Sequence, residues 1–522
     1  MLYTPMDILL LFEEISSKMH LFFAQAAYCF RAFFQYAVFF CRLYEGSGLM
    51  QLIWFRQDLR TADHAALWHA AQAGACIAAV FISPEQWARH DEAPAKSIFY
   101  LRQLESLKAQ LNALNIPLII QHIPLWKDIP DALRQLCLEL KISCVHANIE
   151  IGVNELKRDF QAQQALAQRN IALELHHDRT IFPVGTILNQ SNQPYQVFSA
   201  FKKRCYERLS LGLPGCYPPA EKQEKMPLSQ CHFNAQAEAV QLYPDHAAHP
   251  LQALWPVTEH YALELLDQFV QDDLDRYKAQ RDFPALEATS QLSPYLNIGT
   301  ISIRQCLQAV FRQQQGHFHI DNAGQQTWLD ELLWREFYQH ILFHYPAISK
   351  HQPFKISTQK LQWRDAEQDL SAWQQGQTGI PIVDAGMRQL LQTGWMHNRV
   401  RMITAMFLSK NLLIDWRLGE KWFMQHLIDG DLAANNGGWQ WCASTGTDAV
   451  PYFRIFNPVS QSQKFDPDGD YIRKWVPELA HLDAKRIHEP YAGKHDPALD
   501  YPRPIADLSL SRKRAIEAFK AI

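Results

Sequence analysis

Apolar positions follow two regimes along the chain. From residue 51, short apolar, often β-branched runs (QLIWF, ACIAAVFIS, PLIIQH, ISCVHAN, IALELH) alternate with helical periodicity, in ADHAALWHAAQAG, in a long helix near Ala95 to Leu114, and at 126–140 and 154–168. Near-continuous apolar strands separated by helices predict a parallel sheet covered on both faces, an α/β Rossmann-like domain over 50–180. No G-x-G-x-x-G follows the first strand, so the dinucleotide fingerprint is missing. Residues 181–256 are expected as an interdomain linker, because Gly212, Pro214, Gly215, Pro218, Pro219, Pro244 and Pro250 punctuate polar sequence there. Over 257–480 the apolar period becomes helical, as in WLDELLWREFYQHILFHY and NRVRMITAMFLSKNLLIDW, predicting an all-α domain. Residues 481–522 are left as a C-terminal tail.

Composition narrows the class. With 522 residues, 48% hydrophobic and 20% charged, the chain is globular and long enough for more than one domain. A net charge of -4 confines any nucleic-acid surface to a local patch. The ten cysteines form no CxxC pair and HExxH is absent, so no metal site is expected and the thiols read as reduced and cytoplasmic. Residues 1–49 carry HLFFAQAAYCFRAFFQYAVFFC, interrupted by Gln25, Arg31 and Gln35; they are expected to be a gene-model extension ahead of Met50, the alternative being an interfacial anchor. Of fifteen tryptophans, ten fall between Trp328 and Trp475.

Three strings concentrate chemistry. In WLDELLWREFY, Trp328, Glu331, Leu332 and Arg335 share one helix face, while Trp334, Phe337, Tyr338 and Ile341 share another. An intrahelical Glu331–Arg335 ion pair is the plain reading of that face. In GWMHNRVRM, Asn398, Arg401 and Met402 project together. IDGDLAANNGGWQW sets Asp429 and Asp431 two apart, too thin a ligand set for calcium, and Gly437 and Gly438 permit close backbone approach.

Together with WFRQDLR, RDFPALEATSQLSPYL, DWR and PYFRIFNP, these strings stand in the order found in the photolyase/cryptochrome flavoproteins, which the chain resembles over about residues 50 to 505. WMHNR is similar to the bacterial class I cyclobutane pyrimidine dimer (CPD) photolyases. The resemblance implies an α/β antenna-binding domain and a helical domain holding FAD, folded into a U, against Tyr277, Thr289, Ser290, Leu292, Ser293, Trp328, Arg335, Trp395, Asn398, Arg401, Asp429, Asp431 and Asn435. Gln291 stands where the family often has Arg.

The reaction it implies is light-driven electron transfer from excited reduced FAD to a dimer, a carbon–carbon lyase activity. The dimer must first be flipped out of the DNA, because chemistry on a stacked base cannot be reached inside the duplex; photolyases as a class work in this way. Arg401, oriented by Asp429, faces the anionic edge of the flavin, and Asn435 faces N5. Glu331 polarises or protonates the lesion, a role that requires burial to keep its proton. Trp334 and Trp441 wall the lesion, with Asn398 and Met402 completing the cavity. Trp439, Trp416 and Trp363 match an electron chain to the surface, although indoles are more often core packing. Arg281, Arg335, Arg399 and Arg454 match phosphate contacts. Asn154, Glu155 and Lys350 match a methenyltetrahydrofolate antenna site, with Ser349 where some members have Cys. The partner implied is dimer-containing DNA, bound by a monomer without an obligate protein partner, in the bacterial cytoplasm and at the nucleoid. The alternative function is a cryptochrome-type blue-light photoreceptor without repair.

Overall fold

The structure, a computed structural model, describes residues 50–492 and 499–522; the expectation for 1–49 lies outside the described residues. Strands β1 (Met50–Trp54), β2 (Cys76–Ile82), β3 (Leu118–His122), β4 (Ile142–Asn148) and β5 (Ala172–His176) form one sheet in the order β3-β2-β1-β4-β5. Every pairing is parallel. β2 is buried throughout and β1 from Gln51 onward, which is why both read as unbroken apolar runs.

Helices Ala65–Ala73, Pro94–Ala113, Ile129–Glu139 and Val153–Ala167 make the crossovers, close to their predicted bounds. Proline in the first turn starts two of them, because its missing N–H would have no intrahelical acceptor there. A further helix, Pro84–Arg89, is too short to leave a periodic signal.

The 181–256 segment, expected as a linker, contains helices Phe198–Leu209, Ala235–Leu242 and Leu251–Leu254. Phe198, Phe201, Cys205 and Leu209 form a buried stripe on the first, and Phe201 lies 5.3 Å from Phe337 between ring centroids. Proline and glycine downstream of Ser210 obscure that amphipathic pattern. The entry to this segment is held from the helix Ala323–His344, where fully buried Glu336 accepts the N–H groups of Ile181 (2.8 Å) and Phe182 (3.0 Å). The 481–522 segment, expected as a tail, includes the helix Leu508–Lys520. It docks through Asn411 Nδ2, which donates to Ser511 Oγ (3.0 Å), and Arg514 Nη2, which donates to the Asn411 carbonyl (2.6 Å).

A buried ion cluster joins the sheet domain to the helices. Arg304 Nε donates to both Asp63 oxygens at 2.9 and 3.0 Å, while Arg304 Nη2 and Arg60 Nη2 reach Asp178 Oδ1 at 2.7 and 2.6 Å. Burial alone would raise the Asp178 pKa; Arg60 and Arg304 hold it well below the usual carboxylate range. Beside this cluster Gly299 adopts φ +72°, and a Cβ there would strike the backbone of Gln57 and Asp58. The Leu59 N–H bonds the Ile298 carbonyl across the same approach at 3.0 Å.

Candidate active site

Three packed helices carry the residues predicted for the lesion and part of those predicted for the cofactor: Ala323–His344, Asn398–Met406 and Leu432–Ala443. Each has a capped start. Asn322 accepts from the Gln325 N–H, and Asp431 from the Ala434 N–H at 2.9 Å. His397 Nδ1 accepts the Arg399 N–H at 3.2 Å. Burial pushes the His397 pKa down to about 4, keeping neutral the imidazole that must accept that bond.

The cationic side of the site rests on two pairs. Arg401 Nη2 donates to Asp429 Oδ1 (3.1 Å) and Oδ2 (2.9 Å), while Arg401 Nε is fixed by the Met396 carbonyl at 2.7 Å. Ser293 Oγ donates to Asp429 Oδ2 at 2.7 Å, so this hydroxyl serves the pair; Thr289 and Ser290 have no hydroxyl partner among the described residues. The second carboxylate, Asp431, accepts from Arg179 (2.7 Å) and Gln339 (3.2 Å). Burial would raise its pKa, but Arg179 and Arg335 hold it at about 2. Asp429 and Asp431 thus each have their own guanidinium and do not form a shared metal site.

The Arg335 of the expected Glu331–Arg335 pair turns elsewhere, donating to the Arg179 carbonyl at 2.8 Å. Among the described residues it has no carboxylate at salt-bridge distance. Burial and the nearby Arg179 charge push its pKa down. Two guanidiniums gathered around Asp431 leave a local positive excess that suits a phosphate-bearing ligand.

The third helix presents its polar face to an opening. Asn435 Nδ2 donates to the Glu420 carbonyl at 3.0 Å, so the carbonyl acceptor orients the amide and leaves Oδ1 without a partner among the described residues. A Cβ added at Gly438 would meet nothing within 4 Å, whereas Gly437 is filled by the Tyr338 ring. Open space above Gly438, an oriented amide and a guanidinium excess fit a flat, anionic dinucleotide. Tyr277, Leu292 and Trp328 are buried, with Trp328 centred 5.1 Å from Phe269, and the Arg401 guanidinium lies 6.0 Å from the Trp395 ring.

The rim departs from expectation. Glu331 is 31% exposed, not enclosed, and accepts a hydrogen bond from Arg281. Arg281 and Arg399, expected free for phosphates, are both paired: Arg399 Nη2 lies 2.8 Å from Asp282, which also stands 3.7 Å from Arg281 Nε. Of the proposed grips only Arg454 is exposed and without an ion pair among the described residues. One face of Trp334 is covered by Phe198, stacked at 3.7 Å and 11°, and Tyr338 lies 5.6 Å away, tilted by 32°. Asn398 is exposed; Met402 and Trp441 are half-buried. Arg179, Asp282, Gln339, Phe198 and Glu420 were not legible as site residues, since each acts through a partner distant in sequence.

The three indoles expected as an electron chain differ in burial. Trp439 and Trp416 are buried and Trp363 is half-exposed. The Trp439 ring lies against Gly419 in the helix Trp416–His426, where a Cβ would overlap it. Arg364 N–H bonds the Leu413 carbonyl at 2.7 Å, placing the Trp363 segment beside the entry to that helix. In the sheet domain Asn154 Nδ2 meets His90 Nε2 at 2.9 Å, burial and Glu150 push the Glu155 pKa up to about 7, and Lys350 is exposed in the turn Pro346–Lys350.

A parallel α/β domain joined through buried charge to a helical domain whose residues suit a flat anionic ligand is the plan of a two-domain flavoprotein. Residues 51–223 match the DNA photolyase family and 328–521 match the FAD binding domain of DNA photolyase. The chain is 44% identical over 481 residues to the deoxyribodipyrimidine photo-lyase of Escherichia coli K12, covering 90% of this chain and 98% of that protein. A bacterial class III photolyase from Agrobacterium tumefaciens superposes with a TM-score of 0.78 at 33% identity, covering 92% of this chain and 98% of that one. A Synechocystis cryptochrome follows at 0.77 and 27%, covering 91% and 100%. The chain belongs to the photolyase/cryptochrome family, and its helical domain binds FAD.

Proposed function

We propose that the chain is a deoxyribodipyrimidine photo-lyase that splits cyclobutane pyrimidine dimers in DNA under light. The observation that supports this reading is that Glu331, Trp334, Asn398, Met402 and Trp441 are all at least partly exposed and stand on three helices that pack together. FAD, when bound and reduced, supplies on illumination the electron that opens the dimer.

The residues prepare that event. Tyr277, Thr289, Ser290, Leu292, Ser293, Trp328, Arg335, Trp395 and Asp431 line the cofactor, with the Thr289 and Ser290 hydroxyls and Arg335 as donors toward its phosphates. With FAD bound, Arg401, oriented by Asp429, would hold positive charge beside the reduced ring, and Asn435 would offer it an amide Oδ1 without adding charge. A dimer flipped from the duplex slides between Trp334 and Trp441, against Met402, with Asn398 beside it. Glu331 then exchanges Arg281 for the lesion, so that Arg281 turns outward. With Arg335, Arg399 and Arg454 it meets the backbone, and binding weakens with salt. Trp439, Trp416 and Trp363 carry electrons inward to restore the reduced state.

Asn154, Glu155 and Lys350 hold a methenyltetrahydrofolate antenna. The protein works as a monomer in the cytoplasm, on nucleoid DNA. Among the described residues no helix is long and apolar enough to cross a membrane.

The test is loss of dimers from irradiated DNA incubated with protein under blue or near-UV light, against a dark control. No light-dependent loss refutes repair and favours a cryptochrome-type sensor. Trp363→Phe is expected to abolish photoreduction of oxidised FAD and leave repair by chemically reduced protein intact; loss of both refutes the division of roles.

A further inference from the structure

Away from the flavin site, β4 and β5 carry two residue pairs at the spacing of strand alternation, Cys144 with His146 and Glu174 with His176. The register pairs His146 with Glu174 and Asn148 with His176. Side chains two apart on a strand share a face, so all four project from one side of the sheet. His146 Nδ1 lies 3.1 Å from His176 Nε2 and 3.6 Å from Glu174 Oε2. Ligand atoms of Cys144, His146 and Glu174 lie within 4.8 Å of one another. Two nitrogen or oxygen ligands on a tetrahedral zinc ion are separated by about 3.3 Å, given bonds of about 2.0–2.1 Å. The observed spacings of 3.1 and 3.6 Å bracket that edge.

We propose that Cys144, His146, Glu174 and His176 form a binding site for one tetrahedral divalent transition metal of the zinc class, clasping the edge strand β5 to β4.

The surroundings already select the ligand tautomer. Ser143 Oγ donates to the Met50 carbonyl (3.0 Å) and accepts from Gln51 Nε2 (3.2 Å). Gln51 must then turn Oε1 toward His146 Nε2, 3.1 Å away, so that nitrogen carries the proton and Nδ1 keeps its lone pair. Burial holds both rings neutral, His146 at about 4 and His176 at about 2, the latter also repelled by His146. His69 stacks on His176 at 4.4 Å and fixes the plane of that ring. Without metal the His176 Nε2–H donates to His146 Nδ1. Metal binding replaces that proton: it moves to His176 Nδ1, and the Cys144 thiol proton leaves to solvent as the thiolate coordinates. Glu174, with 30% of its side chain exposed, lies on the entry route.

The test uses chelator-stripped, FAD-loaded full-length protein in the dark. Titration with Co²⁺ is expected to give the visible bands of tetrahedral cobalt and a thiolate charge-transfer band, saturating at one equivalent and erased by Zn²⁺. Cys144→Ser should remove the charge-transfer band. Gln51→Leu should weaken Zn²⁺ binding about 10- to 100-fold with flavin absorbance unchanged. Should Cys144→Ser fail to fold, Glu174→Gln, at the half-exposed ligand, takes its place and is expected to lower affinity. Absence of tetrahedral bands, a charge-transfer band that persists in Cys144→Ser, or an affinity unchanged in Glu174→Gln, overturns the proposal. Repair activity is not the readout, so failure here is distinct from failure of the repair reading.

Discussion

Two charge clusters built from the same residue types differ in what surrounds them. At the domain junction, Arg60, Asp63, Asp178 and Arg304 have side chains at most 5% exposed, and both carboxylates are met by guanidiniums. At the rim, Glu331, Arg281, Asp282 and Arg399 alternate in sign but are 16 to 33% exposed. There Arg399 Nε is buried without an acceptor, and the guanidinium rests on the Phe465 ring at 4.4 Å. Desolvated pairs cannot be opened without leaving a buried charge, so the first cluster is a fixed joint. Half-solvated pairs cost little to exchange, so the second can trade its partners for phosphate and lesion. Burial, not pairing, separates scaffold from site.

The sharpest way to break this contrast is Arg304→Met. It leaves Asp63 with Ser302 and the Tyr217 N–H but no guanidinium, and Asp178 with Arg60 alone, and the expected loss is about 3–5 kcal/mol of unfolding free energy, read from the denaturant midpoint. A loss below about 1 kcal/mol would show the junction to be as exchangeable as the rim. The acid limb gives a second reading. A carboxylate whose folded pKa is depressed stabilises the fold above its unfolded value, near about 3.9, and that contribution is lost as pH falls through the folded value. Asp178 is such a group. Unfolding of the parent protein should therefore steepen below about pH 4, and the variant should show a shallower acid limb.

Glu331→Gln probes the rim at intermediate size. Its effect on stability should stay within about 0.5 kcal/mol, because the pair it weakens is partly solvated. Repair per absorbed photon should fall about tenfold or more, the equivalent of one lost charge-assisted hydrogen bond of about 1.5–3 kcal/mol. Affinity for undamaged DNA should rise as Arg281 is released. Unchanged repair yield would remove Glu331 from the lesion site.

The clusters also differ in how far they are legible in sequence. The sheet, its crossovers and the helical domain follow from periodicity, since each strand or helix declares itself within a dozen residues. Arg401, Asp429 and Asn435 are singled out by the strings that carry the family resemblance, not by periodicity. What sequence does not disclose is pairing between distant segments: Arg304 with Asp63, Arg179 with Asp431, Phe198 behind Trp334. Each looks like an ordinary surface or core residue until the fold brings its partner. The same limit hides Cys144, His146, Glu174 and His176, whose two i, i+2 pairs match no familiar metal spacing until β4 and β5 lie side by side.

The smallest effect separates the rim's paired arginines from Arg454. An arginine already held by a carboxylate must break that bond to reach phosphate, so its net contribution is reduced; Arg454, exposed and unpaired among the described residues, has nothing to give up. Arg454→Ala should weaken binding to damaged and undamaged DNA alike and lower the slope of log affinity against log salt by about 1, the value for one phosphate contact. Arg399→Ala should lower that slope by less, because a guanidinium shared with Asp282 makes only a partial phosphate contact and displaces less counterion. Equal slope changes in the two variants would mean that the Arg399–Asp282 pair does not survive in the free protein, and the contrast between fixed and exchangeable clusters would then rest on burial at the junction alone.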